Sequence, residues 1–392
     1  MSIKCFILLL FSLPLAAASF DFPIEAESAL LINADSWTIL YQKEPHKRLY
    51  PASITKLATA LYALSTEKGK QLERWMTVEQ DCIATLSEAA LKKTDYAVPY
   101  RLTTGGSHIG LKKDERVQLQ DLYYGLLLAS GMDAANVIGQ YVSGSIPKFM
   151  EAMNRYLEDL GCQHTRFYNP HGLHHPEQKT TAYDMAIVMQ AALRNPLLRQ
   201  IISTVTYTKP KSNKQEATTF TQGNKLICKG KKQYYRYAIG GKTGFLTVSG
   251  NTFVGAAEKE GRTLIIVLLK YAKREDLFAD AIKLFEAAFN EQKVRRTFLR
   301  AGPQKFTLSL DGAAQPIKTS IQQDVVMEYY PAEAPVVKCL LCWKEVVLPI
   351  KKGQQVGELR LQTDKGELLK TVPLLALEEI LPTWSYRIRH LL

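Results

Sequence analysis

The spacing of apolar residues divides the chain into a helix-rich first part, a strand-rich middle and a short-stranded end. Apolar runs over 28–33 and 38–41 flank Ala34-Asp35-Ser36, which predicts a β-hairpin. Pro51-Ala52 then leads into a helix from near Ser53 to Leu64, with Leu57, Ala60, Leu61 and Leu64 on one face. Residues 81–112 are polar, glycine-bearing and irregular. An apolar helix over 117–128 stops at Ser130-Gly131. Further helices are predicted over 134–142, 149–160 and 184–192, the last ended by Asn195-Pro196. From residue 234 the pattern turns to strands, over 234–244, 251–257 and 263–269. Their short connections favour antiparallel pairing, and 278–289 is a closing helix. Past Val294-Arg295-Arg296 come short alternating segments over 305–310, 325–330, 336–341, 356–361 and 368–372. Turns at Asp311-Gly312, Pro331, Pro349, Gly353 and Lys365-Gly366 separate them. The fold class is therefore α+β: helices on an antiparallel sheet, followed by a small all-β domain. The expected divisions are 1–18, 19–293, 294–376 and a C-terminal segment 377–392.

Length and charge narrow the picture. The 392 residues, 46% of them apolar, suffice for two domains. A net charge of +12 suits nucleic acid, an anionic membrane surface or an acidic polymer, or belongs to a generally basic soluble protein. No nucleic-acid motif occurs, and no Lys/Arg run is interleaved with aromatics, so nucleic acid is not an expected partner. At the N-terminus Lys4, the apolar run 5–15 with Pro14, and Ala16-Ala17-Ala18 before Ser19 form a secretory signal pattern. The alternative is an uncleaved N-terminal anchor; either places the protein outside the cytoplasm. Cys5 is not in a lipid-attachment context. Beyond the leader lie Cys82, Cys162, Cys228, Cys339 and Cys342, an odd set that cannot all pair internally. Cys339 and Cys342 have redox-motif spacing but sit in a strand-like run, as buried apolar cysteines or an incidental disulfide.

The candidate chemistry lies in three short boxes, each weak alone. Ser-x-x-Lys occurs at Ser53/Lys56, Ser65/Lys68 and Ser145/Lys148; Lys242-Thr243-Gly244 occurs once. Ser53 and Lys56 share a helical face at a helix N-terminus, where backbone N–H groups favour negative charge. Serine needs a base, and Lys56 can serve if burial and a second cation such as Lys242 lower its pKa. Ser65 falls in a polar C-terminal turn, and Pro147 disturbs the Ser145 box, so both are poor nucleophile candidates. Gly244 allows a substrate to lie close to a strand edge, Thr243 can hydrogen-bond a carboxylate, and Lys242 adds positive field. A literal Ser-x-Asn at Ser249-Gly250-Asn251 follows the Lys-Thr-Gly box and is out of order.

Order, spacing and context together carry a resemblance. Pro51-Ala52-Ser53-Ile54-Thr55-Lys56, Ser130-Gly131-Met132-Asp133-Ala134-Ala135, Asn169-Pro170-His171-Gly172-Leu173, Thr181-Ala182-Tyr183-Asp184-Met185-Ala186 and Gly241-Lys242-Thr243-Gly244 are its residues. The first 290 residues resemble the low-molecular-mass penicillin-binding proteins, the serine-type D-alanyl-D-alanine carboxypeptidases, with their penicillin-binding/β-lactamase-like fold. The small β-domain resembles theirs in position and size. The resemblance implies that Ser53 attacks the penultimate D-Ala carbonyl, that Lys56 takes its proton, and that Ser130 relays a proton to the leaving amine. It also implies an oxyanion hole from the N–H groups of Ser53 and Phe245. Thr243 and Lys242 would hold the terminal carboxylate, supported by Arg274. The implied partners are peptidoglycan stem peptides ending in D-Ala-D-Ala and β-lactams; no cofactor is implied. His174 and His175 follow His171 without a third ligand at zinc spacing, so no metal site is expected.

One position departs from the family pattern. Met132 stands where the middle box has Asn, and a thioether is a poor substitute for an amide. Asn136, four residues on, is not read as its replacement. The departure bears on turnover and deacylation more than on acylation. It keeps open a weakly active or non-catalytic penicillin-binding scaffold beside the carboxypeptidase. A D,D-endopeptidase would use the same residues. A serine β-lactamase is disfavoured by the missing Glu-x-x-x-Asn box and the appended β-domain. At the C-terminus Leu381, Trp384, Ile388 and Leu391 fall on one helical face flanked by Arg387 and Arg389, with Pro382 in the first turn. This resembles the amphipathic helix by which family members lie on the outer face of the cytoplasmic membrane. The alternative is a tail packed on the β-domain.

Overall fold

The structure, a computed structural model, describes residues 4–11, 20 and 22–389, the first of these ranges by its backbone alone. The chain divides into two compact units, residues 19–290 and residues 291–392 with 1–18.

The larger unit is built on a five-stranded sheet, antiparallel throughout. Its strands are β1 (Ser28–Asn33), β2 (Ile39–Lys43), β3 (Ala238–Leu246), β4 (Gly250–Lys259) and β5 (Arg262–Tyr271), in the order β3-β4-β5-β1-β2. The early hairpin thus pairs with strands from the end of the unit, and β3 forms one edge. The helices of this unit are α1 (Thr55–Ser65), α2 (Leu119–Leu127), α3 (Met132–Ser143), α4 (Ile146–Asp159), α5 (Ala182–Arg194), α6 (Pro196–Ser203) and α7 (Arg274–Phe289), with several shorter turns. One core joins Leu30, Ile32, Val254, Ile265 and Val267 of the sheet to Leu57 and Leu61 of α1 and Met185 and Met189 of α5. On α7, Phe278 meets Phe253 of β4 edge to face, with centroids 5.6 Å apart. Leu264 to Leu269 are buried without interruption, which is why β5 reads as an unbroken apolar run rather than an alternating one.

Several elements differ from the sequence expectation. The irregular 81–112 stretch holds a short helix, Glu88–Lys93, capped by the Ser87 side chain. Val117 belongs to a short strand, Arg116–Gln118, that pairs with Trp75–Thr77 rather than to α2. Asn195-Pro196 ends α5 and also starts α6: the Asn195 side chain accepts from Leu198 N, and proline is tolerated in a first helical turn. Pro147 is likewise in the first turn of α4, with Ser145 as its N-cap.

The smaller unit is all-β but for short helical turns. Six strands pair antiparallel in the order Lys4–Phe11, Val337–Trp343, Gln355–Thr363, Leu368–Ala376, Ile317–Ile321 and Gly302–Leu308. Val294–Leu299 pairs with Val325–Tyr329. The strands at 294–299 and 317–321 are not among the sequence expectations: the first has no alternation, and the second buries Ile317, Thr319 and Ile321 on one face with a polar threonine at its centre. Residues 4–11 of the expected leader form the sheet's edge strand; 1–3 and 12–18 lie outside the described residues. Cys339 is a free thiol, so it is not joined to Cys342. The last helix, Trp384–Arg389, docks Tyr386 over the Gly312 turn and leaves Trp384 79% exposed and Ile388 52% exposed. Pro382 precedes this helix, and Leu391 lies outside the described residues. Among the described residues no helix is long and apolar enough to cross a membrane.

Candidate active site

The turn that carries Ser53 is held from three sides. Ala52–Ile54 is a single helical turn that runs into α1, so Ser53 lies just before the helix proper. Thr55 Oγ1 donates to Ala52 O at 2.9 Å, and Thr252 Oγ1 of β4 donates to Pro51 O at 2.9 Å. Gly172, with φ +88°, lies against the same backbone: a Cβ there would sit 2.0 Å from Ala52 O. Ala52 itself has φ 51°, a left-handed backbone that costs a non-glycine residue roughly 1–3 kcal/mol and is concentrated at functional sites.

Three residues on from Ser53, Lys56, the second residue of α1, is buried. Its Nζ donates to Ser53 Oγ at 2.9 Å and to His171 O at 2.5 Å. Burial pushes its pKa well below that of a free lysine; the charge of Lys242 pushes it further down, and Asp133 opposes both. A lysine so placed spends part of its time neutral and can accept the proton of a hydroxyl already within hydrogen-bond reach.

The second serine loop faces a second buried lysine. Ser130 also has a left-handed backbone, φ 61°, and its Oγ accepts from Lys242 Nζ at 3.1 Å. Lys242 donates as well to Thr243 O at 2.9 Å. Its pKa is pushed down to about 7, chiefly by burial and then by the Arg274 charge. Asp133, at the start of α3, accepts from Ile109 N, Leu111 N and Ala134 N at 3.0 to 3.1 Å and so ties the 109–111 segment to this loop.

On edge strand β3, Gly244 lies close to the nucleophile turn. A Cβ at this position would stand 2.7 Å from Ser53 N and 3.1 Å from Ala52 Cβ, so only glycine lets the strand come so near. Thr243 is nearly buried, while Phe245 beside it is 54% exposed. Arg274 opens α7, and its Nε donates to Asn251 Oδ1 at 3.3 Å. The Ser53–Lys56 pair thus meets Gly244 of β3, beside which lie Thr243 and Lys242, the latter reaching Ser130, while Arg274 approaches the same strand through Asn251, the sheet partner of Phe245.

The other boxes stand apart. Ser65 is the last residue of α1 and donates to Tyr62 O; Ser145 caps α4. Asn251 of the out-of-order Ser-x-Asn orients Arg274, a role its sequence position concealed. The His171 carbonyl was not anticipated as a Lys56 partner, because a backbone acceptor has no residue signature. Met132 is 3% exposed and turned toward Gly106, where a Cβ would fall 1.8 Å from its Cε.

Comparison with known proteins places the chain in a family. The family model for D-alanyl-D-alanine carboxypeptidases, Peptidase S11, matches residues 16–273. The carboxypeptidase DacF of Bacillus subtilis is 29% identical over 368 residues, covering 91% of this chain and 86% of its own. DacD of Salmonella typhimurium is 28% identical over 363 residues, covering 91% and 87%. The crystal structure of penicillin-binding protein 6B from Escherichia coli superimposes with a TM-score of 0.62 at 25% identity, covering 92% of this chain and 98% of that one. From its matched residues, its fold and the juxtaposed Ser-Lys pairs, the chain belongs to the D-alanyl-D-alanine carboxypeptidase family of serine peptidases.

Proposed function

We propose that this protein removes the terminal D-Ala from peptidoglycan stem peptides through an acyl-enzyme on Ser53, and that β-lactams acylate the same serine. The observation that carries the reading is the contact between a buried, pKa-lowered Lys56 and Ser53 Oγ at 2.9 Å. Lys56 accepts the Ser53 proton as Oγ attacks the carbonyl carbon of the penultimate D-Ala. The oxygen that gains negative charge is stabilised by the N–H groups of Ser53 and Phe245. The C–N bond to the terminal D-Ala then breaks, and its nitrogen takes a proton through Ser130. Lys56 next deprotonates a water, which opens the ester and restores Ser53. Thr243, Lys242 and Arg274 hold the substrate carboxylate, and the Arg274–Asn251 contact supports that placement. D-Ala release from a peptide ending in D-Ala-D-Ala, measured beside Ser53→Ala, tests the reading. Release by the parent and none by the variant is expected; equal release by both sinks it.

A second reading has its own observation. Met132 is buried against Gly106 and offers no amide to Lys56 or substrate. It favours slow deacylation, a long-lived acyl-enzyme in an otherwise intact site.

For location, the leader pattern and the exposed Leu381, Trp384 and Ile388 support export and a peripheral place on the outer face of the cytoplasmic membrane. Removing residues after Glu379 from the leader-free protein should release it from membranes; unchanged association would remove the C-terminal helix from the account.

A further inference from the structure

Behind Lys56 lies a run of polar contacts that the reaction as described does not use. Asn136, on α3, is fully buried. Its Nδ2 donates to Cys82 O at 2.9 Å and to Tyr100 O at 3.0 Å. Both partners are carbonyls, so the amide nitrogen must face them. The two contacts tie the start and the end of the 82–100 segment to one side chain. Tyr100 O is shared: His171 Nε2 lies 3.2 Å from it. A carbonyl only accepts, so Nε2 carries the hydrogen. On the other side of the ring, Leu173 N donates to His171 Nδ1 at 3.2 Å, so that nitrogen is the acceptor. The two contacts select one neutral tautomer. Burial first, and then the Lys56 charge, hold the ring neutral, with a pKa lowered to about 3. The carbonyl of that same His171 takes Lys56 Nζ at 2.5 Å.

We propose that Asn136 is a positioning residue for the Ser53–Lys56 pair: by clamping the Cys82 and Tyr100 carbonyls it fixes the Tyr100 oxygen that orients His171, whose own carbonyl aims the Lys56 amine at Ser53. The proposal rests on the reading of Lys56 as the base. It also gives α3 a link to that base which does not pass through Met132. The contacts run Asn136 to Tyr100 to His171 to Lys56 to Ser53, each within hydrogen-bond distance. Among the described residues no group faces the buried Asn136 Oδ1 within hydrogen-bond distance.

The test is Asn136→Leu in the leader-free protein. Leucine has a similar volume and removes the unmatched oxygen along with the two donors, so the variant retains its core shape. The rate constant for acylation by a fluorescent penicillin is followed against pH, with the pre-covalent dissociation constant obtained from the same data. The charged groups acting on Lys56 are Lys242 and Asp133, with neutral His171 beside it; none is altered. Loss of the clamp loosens the His171 carbonyl and admits water. Acylation then slows by roughly 10- to 100-fold, the cost of small misplacement at a reacting group. The acidic limb of the profile moves to higher pH because Lys56 is less desolvated, while the dissociation constant stays near the parental value. Ile138→Ala, a buried apolar change on the same helix, serves as the stability control; it lowers the thermal midpoint and leaves the limb in place. An Asn136→Leu protein that is folded, with parental rate and limb, overturns the proposal whatever its thermal midpoint. If leucine prevents folding, Asn136→Ala carries the same expectations. Lys56→Ala run in parallel separates the two failures. If it acylates like the parent, the role of Lys56 is wrong; if it is inactive while Asn136→Leu is parental, only the Asn136 proposal falls.

Discussion

Two turns of the larger unit place a left-handed, non-glycine residue beside a serine hydroxyl or at it: Ala52 before Ser53, and Ser130 itself. In each, the serine meets the Nζ of a buried lysine, Lys56 at 2.9 Å and Lys242 at 3.1 Å. They differ in what surrounds them. The Ser53 turn is held by polar contacts from Thr55 and Thr252 and by the close approach of Gly172, and its lysine has a second acceptor in His171 O. The Ser130 turn runs into Met132, whose side chain packs on Gly106 and makes no polar contact toward the cleft. On the function proposed above, the first turn has what acylation needs, a nucleophile and a base in contact. The second keeps Ser130, the proton relay proposed above, and holds a thioether at Met132 where the family pattern has an amide. The comparison locates any deficit of this enzyme in turnover rather than in attack.

The comparison can be broken most severely at Lys56. Lys56→Ala should reduce the acylation rate by about 10^4-fold, the upper end of what a positioned base supplies, with Ser53 still present. Stopped-flow measurement with a reporter penicillin checks this; a loss below about tenfold would remove Lys56 from the proton transfer.

Lys242→Met should lower acylation by about 100-fold, the scale for removing one preorganised electrostatic group. It should also shift the acidic limb upward, because Lys56 loses the neighbouring cation that helps keep it neutral. The same lysine makes a stability prediction of definite sign. Its pKa is about 7 in the folded protein, against about 10.4 for a free lysine. Between those values the unfolded chain binds more protons, so stability rises with pH there. The penalty is fully present below pH 7 and fades as pH approaches the unfolded value. Lys242→Met removes it, so the thermal midpoint of the parent should gain more between pH 7 and 9 than that of the variant. Equal gains would mean that Lys242 titrates normally.

Met132→Asn addresses the other turn and should have the smallest effect. One restored hydrogen bond of about 1 kcal/mol corresponds to roughly a fivefold faster deacylation, with acylation unchanged. Recovery of free enzyme from the penicilloyl adduct measures it. An unchanged recovery rate would show that this position does not limit turnover.

Much of this site was legible because its chemistry is carried by side chains in fixed order: Ser53 with Lys56, then Ser130, then Lys242-Thr243-Gly244. The sheet was legible as well, since β5 and its neighbours are long and apolar. What escaped has physical reasons. The His171 contact to Lys56 is made by a backbone oxygen, which any residue could supply. Asn251 lies beside Arg274 only because β4 and α7 bring them together across 23 residues. Asn136 is not read from the sequence as a replacement for the missing amide, and its sequence position does not show that its nitrogen reaches back to the Cys82 and Tyr100 carbonyls. Helix α6 was lost because Asn195-Pro196 signals a helix end as readily as a capped helix start. The Thr206–Lys209 and Thr218–Thr221 strands are short and mostly polar, and periodicity has little to register there.

The central claim is that Ser53, and no other serine, forms the covalent intermediate. It is tested most directly by trapping the folded protein with a penicillin and mapping the adduct by peptide mass spectrometry. The account predicts a single penicilloyl group on the peptide that contains Ser53, absent from Ser53→Ala. An adduct on Ser65, Ser130 or Ser145, or a folded parent that takes up none, would contradict it.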